Sequence, residues 1–175
     1  LSNSNLHPPM SERPPLVYIL HSGNLYGTER VALATLSALT EFESRIILAP
    51  PGGESGSVAS AAKAAGLTSI EYRSRPDLLA KLFLLFARSR SLNVITTSVV
   101  QSAMCIVLAT AMRVALSHLH VVHDGSDEER SYGLNYILKK FSVKLVALSE
   151  FTKNKLMQYG VPNNKIAVIG NFLNH

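Results

Sequence analysis

The chain has 175 residues, of which 47% are hydrophobic and 17% are charged. A chain of this length buries a core of its own but leaves little room for a second complete domain. The charged fraction lies below the roughly 25% of average soluble domains, which predicts elements buried on more than one side, as in a parallel sheet. Seventeen Lys and Arg against twelve Asp and Glu give a net charge of +5. That charge favours phosphate, anionic lipid or nucleic acid as partners without choosing among them.

Residues 1–15 contain Pro, Ser and Asn and lack the apolar run of a signal peptide, so they are predicted to be a disordered lead-in. The chain starts with Leu1 rather than Met, which we interpret as the mark of an excised or processed piece. Cys105 has no second cysteine to pair with. It is therefore predicted to be a buried, inert thiol, and a reducing, cytoplasmic compartment is expected.

Short apolar runs alternate with longer helical stretches along residues 16–170, which predicts a Rossmann-like α/β domain with a doubly wound parallel sheet. Six helices are predicted between the strands. The seven strands are predicted at residues 16–20, 45–49, 69–72, 94–97, 118–122, 144–148 and 166–169. In sheets of this type ligands bind at the carboxyl ends of the strands, so function is expected in the loops that follow them.

Several helix ends carry recognisable signals. Gly66 and Gly160 are predicted to take the left-handed conformation that ends a helix, and Pro162 prevents the second helix from continuing. The hydroxyl of Ser149 is predicted to cap the helix over residues 151–159. The apolar stretch 99–116 is interrupted by polar residues and falls short of a membrane span, so it is predicted to be a buried helix.

The loop at residues 21–29 follows the first strand and opens a helix with an apolar stripe. Amides at a helix N-terminus attract a diphosphate, and glycine lets the ligand approach the backbone. The same glycine is also compatible with a plain tight turn. The loop lacks the pattern G-x-G-x-x-G, and no P-loop occurs in the chain, so neither NAD nor ATP is specifically indicated.

A second loop begins with His123 and Asp124, after the fifth predicted strand. A histidine at the carboxyl end of a strand can exchange a proton or a hydrogen bond with a substrate hydroxyl. An exposed loop histidine beside a helix-capping aspartate is the alternative. Strand alternation places His118 and His120 on one face and His123 on the other, which argues against a zinc site.

The helical run at residues 77–90 is apolar nearly all round, with Lys81, Arg88 and Arg90 as its only cations. Such a helix can lie on anionic lipid. A helix packed between the sheet and a neighbour has the same sequence pattern, and that interpretation is the more common one. Nucleic-acid binding has no support beyond the net charge, since no zinc-finger or aromatic RNA-binding motif occurs.

The order of these loops resembles the N-terminal domain of retaining glycosyltransferases of the GT-B fold, glycosyltransferase family 4 (glycosyl transferases group 1). Residues 26–30 (YGTER) are similar to the family's G-G-x-E-R loop, except that Tyr26 replaces the first glycine. Residues 121–124 (VVHD) are similar to its histidine-bearing segment. The run into the interdomain linker is similar at residues 146–153 (VALSEFTK), 159–162 (YGVP) and 165–172.

The resemblance implies a role for each matching residue. Gly27 and Thr28 would bind the donor diphosphate, and His123 would be the catalytic residue beside the transferred sugar. Four further residues would contact the sugar or the acceptor: Glu29, Asp124, Ser149 and Glu150. No metal and no cofactor are expected, because the nucleotide-sugar is itself a substrate.

The resemblance also implies that residues 171–175 begin the interdomain linker and that the C-terminal donor domain is absent from this chain. The expected function is the acceptor-side half of a hexosyltransferase, which moves a sugar from a nucleotide-sugar donor to a glycan or lipid-linked acceptor and is inactive alone. Polysaccharide or cell-envelope biosynthesis, in the cytoplasm or at the inner face of an anionic membrane, is the expected setting. The alternative is a non-catalytic Rossmann-like module that binds a glycan or a protein.

Overall fold

One parallel sheet organises the domain. The computed structural model describes residues 13–53, 56–122 and 129–170, and these form a seven-stranded sheet in the order β3-β2-β1-β4-β5-β6-β7. Every pair of neighbouring strands is parallel. The strands are β1 (Leu16–Ile19), β2 (Arg45–Ala49), β3 (Thr68–Glu71), β4 (Ser91–Thr96), β5 (Ala115–Val122), β6 (Val143–Ala147) and β7 (Ile166–Val168). The predicted fold class is confirmed.

Six α-helices connect the strands in the described part of the chain, as predicted. They are α1 (Gly27–Ala38), α2 (Val58–Ala64), α3 (Arg75–Ala87), α4 (Val99–Met112), α5 (Glu129–Asn135) and α6 (Glu150–Gln158). Short 3₁₀ turns follow α5 and α6, at Tyr136–Lys140 and Asn163–Lys165. The right-handed crossover rule fixes the side of each helix: α1 and α2 lie on one face of the sheet, and the later helices lie on the other.

The core has one layer on each face of the sheet. On the first face, Leu36 of α1 and Ala62 of α2 pack with Tyr18 and Ile47 of the sheet. On the second face, α3 and α4 pack with the alternate side chains of the same strands, and the largest buried group there is Phe86. Both faces of β1 and β2 are therefore covered, which explains the continuous apolar runs of these strands.

Two strands begin earlier than their apolar runs predict. β4 begins at Ser91 rather than residue 94, and β5 begins at Ala115 rather than residue 118. The added residues pair with one another, Ser91 with Ala115 and Asn93 with Ser117. Asn93 also donates hydrogen bonds to the carbonyl oxygens of Pro14 and Pro15, at 3.1 and 3.0 Å, so the last residues of the predicted lead-in are attached to the sheet. The rest of that lead-in, 1–12, lies outside the described residues.

The predicted helix ends are confirmed. Gly66 and Gly160 have positive φ values of 70° and 82°. Ser149 caps α6, because its Oγ accepts a hydrogen bond from the amide of Thr152 at 3.1 Å. The end of α4 was not predicted: Arg113 takes the left-handed conformation there without being glycine, at φ 55°.

A polar cluster is buried between β4, β5 and α4. Thr96 Oγ1 lies 3.0 Å from His118 Nε2, 3.1 Å from His120 Nδ1 and 2.7 Å from Ser102 Oγ. The two histidines share one face of β5, as predicted from strand alternation. His118 Nδ1 is buried and has no hydrogen-bond partner among the described residues. Burial lowers the pKa of His118 from its usual 6.5 to about 4.

We expect this burial to make folding sensitive to acid. The unfolded chain protonates His118 below about pH 6.5, whereas the folded chain resists protonation until about pH 4. The stability contributed by the neutral ring is therefore complete above pH 6.5 and is lost as the pH falls to 4, by about 3 kcal/mol in all.

Urea unfolding at a series of pH values checks this expectation. His118→Gln should flatten the loss of unfolding free energy between pH 6.5 and 4, since its amide retains a hydrogen bond to Thr96 without titrating. His21→Gln is the matched control, because the side chain of His21 is exposed. Equal slopes for the parent chain and His118→Gln would contradict the assignment.

Candidate functional site

The candidate site lies at the carboxyl edge of the sheet, where β1 and β4 are neighbours. The chain crosses from one face of the sheet to the other between β3 and β4, so the helix after β1 and the helix after β4 leave in opposite directions. The loops therefore diverge and leave a crevice, which is where α/β sheets of this kind bind ligands. The two helices that begin here, α1 and α4, have no side-chain hydrogen bond at their N-caps, Tyr26 and Ser98.

Close backbone packing holds the loop after β1 in place. The carbonyl oxygen of Gly23 accepts a hydrogen bond from the amide of Val58 at 2.8 Å. Asn24 Oδ1 accepts one from the amide of Gly53, also at 2.8 Å. A Cβ on Gly23 would lie 2.1 Å from the carbonyl oxygen of Pro50. Glycine is required at position 23 by the packing of this loop against the loop after β2.

Gly27 is not packed against a neighbouring loop as Gly23 is. Gly27 is the first residue of α1, it has no positive φ, and a Cβ added to it would meet none of the described residues within 4 Å. The tight-turn explanation of Gly27 is therefore wrong, since the tight packing belongs to Gly23. An α-helix cannot satisfy the N–H groups of its own first turn, and Tyr26, 63% exposed, supplies no side-chain cap. Among the described residues other than its chain neighbours, none lies within 4 Å of the Gly27 Cβ position at the positive end of α1.

Glu29 lies in the interior rather than at the surface of the crevice. Its side chain is only 1% exposed, and both carboxylate oxygens are buried without a hydrogen-bond partner among the described residues. Burial, and after it the charge of Glu29, raises the pKa of the Tyr18 hydroxyl. The sequence pattern alone did not indicate this burial, and the predicted contact of Glu29 with sugar or acceptor stays a prediction.

Of the other predicted site residues, two lie at the start of α6 and two lie outside the described residues. Ser149 caps α6 and is hydrogen-bonded to Thr152, and Glu150 is exposed and 3.5 Å from the ammonium of Lys153. His123 and Asp124 lie outside the described residues, as do residues 171–175. Their predicted roles stay predictions.

Sequence reasoning missed a cavity of about 330 Å³ beside the first loop. Loops after β1, β2, β3 and β4 form its walls. Its polar lining residues are His21, Tyr72, Arg73, Ser74, Arg75, Ser98 and Gln101. The available signal was the pair of arginines on either side of Ser74, shortly after β3 ends at Glu71.

Buried hydrogen bonds fix the floor of this cavity. Gln101 Nε2 donates to the carbonyl oxygen of Leu20 at 2.9 Å and lies 3.3 Å from the hydroxyl of Tyr72. The Tyr72 hydroxyl donates to the same carbonyl. Burial raises the pKa of Tyr72, so this hydroxyl keeps its proton. The end of β1 is thereby joined to α4 and to the loop after β3.

Several large apolar side chains are exposed on the face of the sheet that carries α3 and α4. Phe86 points into the core and is 1% exposed, but Phe83 is 50% exposed, so α3 is not buried all round. The exposed apolar strip comprises Leu79, Phe83, Leu84, Val100, Val107, Leu134, Ile137 and Phe141. No helix in the described part of the chain is long and apolar enough to span a membrane.

Two further sequence predictions concern the cysteine and the groups that could hold a metal ion. Cys105 is fully buried, and burial raises the pKa of its thiol to about 12, which confirms an inert thiol. Among the described residues, no group of three or more His, Cys, Asp or Glu side chains is placed to hold a metal ion.

Comparison with known proteins identifies structures of the same fold. No family model matches the sequence, and no curated protein sequence matches it either. The Anabaena protein Alr3699/HepE, crystallised with UDP and glucose, superposes with a TM-score of 0.72 at 14% identity, covering 92% of this chain and 45% of that one. The same protein has been crystallised with UDP-glucose, and there 91% of this chain and 44% of that one are covered at a TM-score of 0.72.

A glycosyltransferase from Rickettsia africae is also similar, with a TM-score of 0.65 at 22% identity over 94% of this chain and 44% of that one. The chain thus spans a little under half the length of the solved structures that it matches. Nearly all of the chain takes part in the superposition. It has the Rossmann-like fold of one portion of these solved structures.

Proposed function

We propose that this chain is the acceptor-side half of a retaining glycosyltransferase of the GT-B fold, of the kind grouped in glycosyltransferase family 4. The observation that carries the proposal is the superposition of almost the whole chain on one protein, Alr3699/HepE, that has been crystallised with UDP and with UDP-glucose. The sequence motifs at residues 26–30 and 146–153 support it independently. The domain that holds the nucleotide-sugar would lie in the part of the protein that follows this chain.

The proposed donor contact is the N-terminus of α1. The backbone of Gly27 and Thr28 would bind the diphosphate as the cleft between the two domains closes. Three observations support this contact: no side chain caps the helix at Tyr26, the helix dipole is positive here, and the missing Cβ of Gly27 leaves room for phosphate oxygens. Since the proposed cleft would have its other side outside these 175 residues, the isolated chain should bind nucleotide-sugar weakly.

In the proposed reaction the bond between the sugar's anomeric carbon and the diphosphate breaks, and the acceptor hydroxyl bonds to the same face of that carbon. The acceptor proton leaves with the diphosphate. No protein nucleophile takes part, and in the described residues the single thiol, Cys105, is sealed in the core. His123 would act beside the transferred sugar, directly after β5 ends at Val122.

The longer protein that contains this chain should release nucleotide from at least one nucleotide-sugar in the presence of acceptor, whereas the 175-residue chain alone should not. A panel of uridine and guanosine diphosphate sugars, with coupled detection of the released nucleotide, measures this. A folded longer protein that is inert toward the whole panel would contradict the transferase and favour a non-catalytic binding module.

Gly27→Ala should separate stability from activity. Alanine is favoured over glycine inside a helix by about 1 kcal/mol, and the added methyl meets no protein atom, so the melting temperature should hold or rise. In the longer protein the same methyl should lower kcat/KM for the donor by about tenfold or more, because it displaces the diphosphate from the helix amides.

Gly23→Ala is the matched control in the same loop. Its methyl collides with the carbonyl of Pro50, so it should lower the free energy of unfolding by about 3 kcal/mol, as overpacking does. Thermal unfolding and donor kinetics on both variants distinguish the two glycines. Unchanged donor kinetics in the Gly27→Ala variant would contradict the proposed contact between the diphosphate and the N-terminus of α1.

We also propose that the exposed apolar strip lies on an anionic membrane. Cations stand at the C-terminal ends of the helices that carry it, at Arg88, Arg113, Lys139 and Lys140. The sequence contains no acidic residue from 78 to 122 or from 132 to 149, so nothing on these segments repels anionic lipid. Apolar insertion and basic contacts act together at such surfaces.

Vesicle sedimentation tests the membrane contact. The chain should pellet with vesicles containing phosphatidylglycerol and remain in solution with pure phosphatidylcholine. Phe83→Glu should abolish pelleting, because it places a negative charge in the strip without disturbing the core. Tyr26→Glu, at an even more exposed aromatic position on the opposite side of the sheet, should leave it unchanged. Equal pelleting with both lipids would refute the charge argument.

A further inference from the structure

The cavity beside the first loop is not used by the donor contact described above. We propose that it binds the acceptor through an acidic group, a phosphate or a carboxylate, which Arg73 and Arg75 hold. The identity of this ligand as the acceptor rests on the proposed function. The cavity lies at the crevice between β1 and β4, and its wall includes His21, the first residue of the loop that ends at Gly27.

The charges around the cavity all have one sign. Arg73 and Arg75 line it, and none of its lining residues is acidic. Within the described residues neither guanidinium forms an ion pair. Asp77 lies nearby, but its carboxylate is occupied by the backbone amide of Arg73 at 2.8 Å and the ammonium of Lys81 at 3.0 Å. These two hydrogen bonds lower the pKa of Asp77, and the charge of Arg73 contributes to a smaller extent. Because neither arginine is held in an ion pair within the described residues, both present the forked donors that suit a phosphate or carboxylate.

His21 presents an acceptor of hydrogen bonds at the same wall. The hydroxyl of Thr97 has one proton, and the carbonyl oxygen of Ile19 accepts it at 3.3 Å. His21 Nδ1, 3.3 Å from the same hydroxyl, therefore carries its own hydrogen and donates it. In the tautomer with its hydrogen on Nδ1, Nε2 keeps its lone pair. A sugar hydroxyl beside the cavity can donate to that atom while its acidic group lies on the arginines.

The rigid floor favours a preformed site rather than one shaped by the ligand. Tyr72 and Gln101 are buried and hydrogen-bonded to each other and to the carbonyl of Leu20. Arg73 follows Tyr72 directly, and Ser74 between the arginines is fixed as the cap of α3, accepting from the amide of Asp77 at 3.3 Å. The backbone that carries both arginines is thus held at both ends, which lowers the entropy lost on binding.

Titration of the 175-residue chain with glucuronate, glucose 6-phosphate and uncharged glucose, followed by amide NMR, tests the site. The two anionic sugars should shift the amides of residues 72–75 and 98–101, and glucose should not. Arg73→Gln with Arg75→Gln should weaken binding of the anionic sugars by about tenfold or more, as expected for lost charged hydrogen bonds. Arg88→Gln with Arg90→Gln removes the same charge at the opposite edge of the sheet and should change nothing.

Each alternative outcome overturns the proposal. Glucose binding as tightly as glucuronate would exclude recognition of an acidic group, and inorganic phosphate binding as tightly as glucose 6-phosphate would exclude recognition of a sugar. Weakening by the Arg88 and Arg90 pair would mean attraction by net charge alone. Since both arginines of the cavity are exposed, their glutamine variants should keep the parent's melting temperature, and a lowered one would make the pair structural.

The two proposals fail in different ways. If the longer protein transfers sugar to an uncharged acceptor and the chain ignores anionic sugars, the cavity proposal is wrong and the transferase stands. If the chain binds anionic sugars through Arg73 and Arg75 but the longer protein uses no donor, the cavity is a binding site and the transferase is wrong.

Discussion

The crossing of the chain from one face of the sheet to the other, between β3 and β4, is the constraint on which the rest of the structure depends. It makes β1 and β4 neighbours in the sheet, although 76 residues, including strands β2 and β3, lie between the paired positions Leu16 and Asn93. Their following helices must then diverge, because right-handed crossovers send α1 and α4 to opposite faces. The crevice, the open end of α1 and the arginine-lined cavity all follow from that divergence.

The two walls of this crevice are fixed by contacts within the protein, one by backbone packing and the other by a side-chain hydrogen bond. Gly23 and the loop after β2 approach more closely than any Cβ allows. On the other side, Gln101 joins the start of α4 to the end of β1 through the carbonyl of Leu20. Neither group needs to touch a ligand. They position the first turn of α1 and the arginines after β3. The proposed ligand contacts are made by other atoms, which are not needed to hold the fold together.

The sequence predicts the sheet well because buried parallel strands are short apolar runs between glycine, proline and serine signals. It fails at Ser91 and Ala115, whose strand conformation comes from pairing with each other across the sheet rather than from their own apolar character. It identifies Ser149 as a cap because that effect is local. It cannot locate the carboxylate of Glu29, since rotation of one helix decides whether this side chain faces the crevice or Tyr18.

The two glycines of the first loop, Gly23 and Gly27, also show what the sequence alone does not reveal about the site. The motif similar to G-G-x-E-R directs attention to Gly27, and turn chemistry offers an equally simple reason for a glycine there. Only the packing separates the two explanations, because the close contact belongs to Gly23 and Gly27 faces open space. A glycine that the fold does not require is a stronger sign of an approaching ligand than one that it does. The pair of arginines after β3 follows the same logic: the fold uses Ser74 and Asp77 to begin α3, and within the described residues neither guanidinium group forms an ion pair.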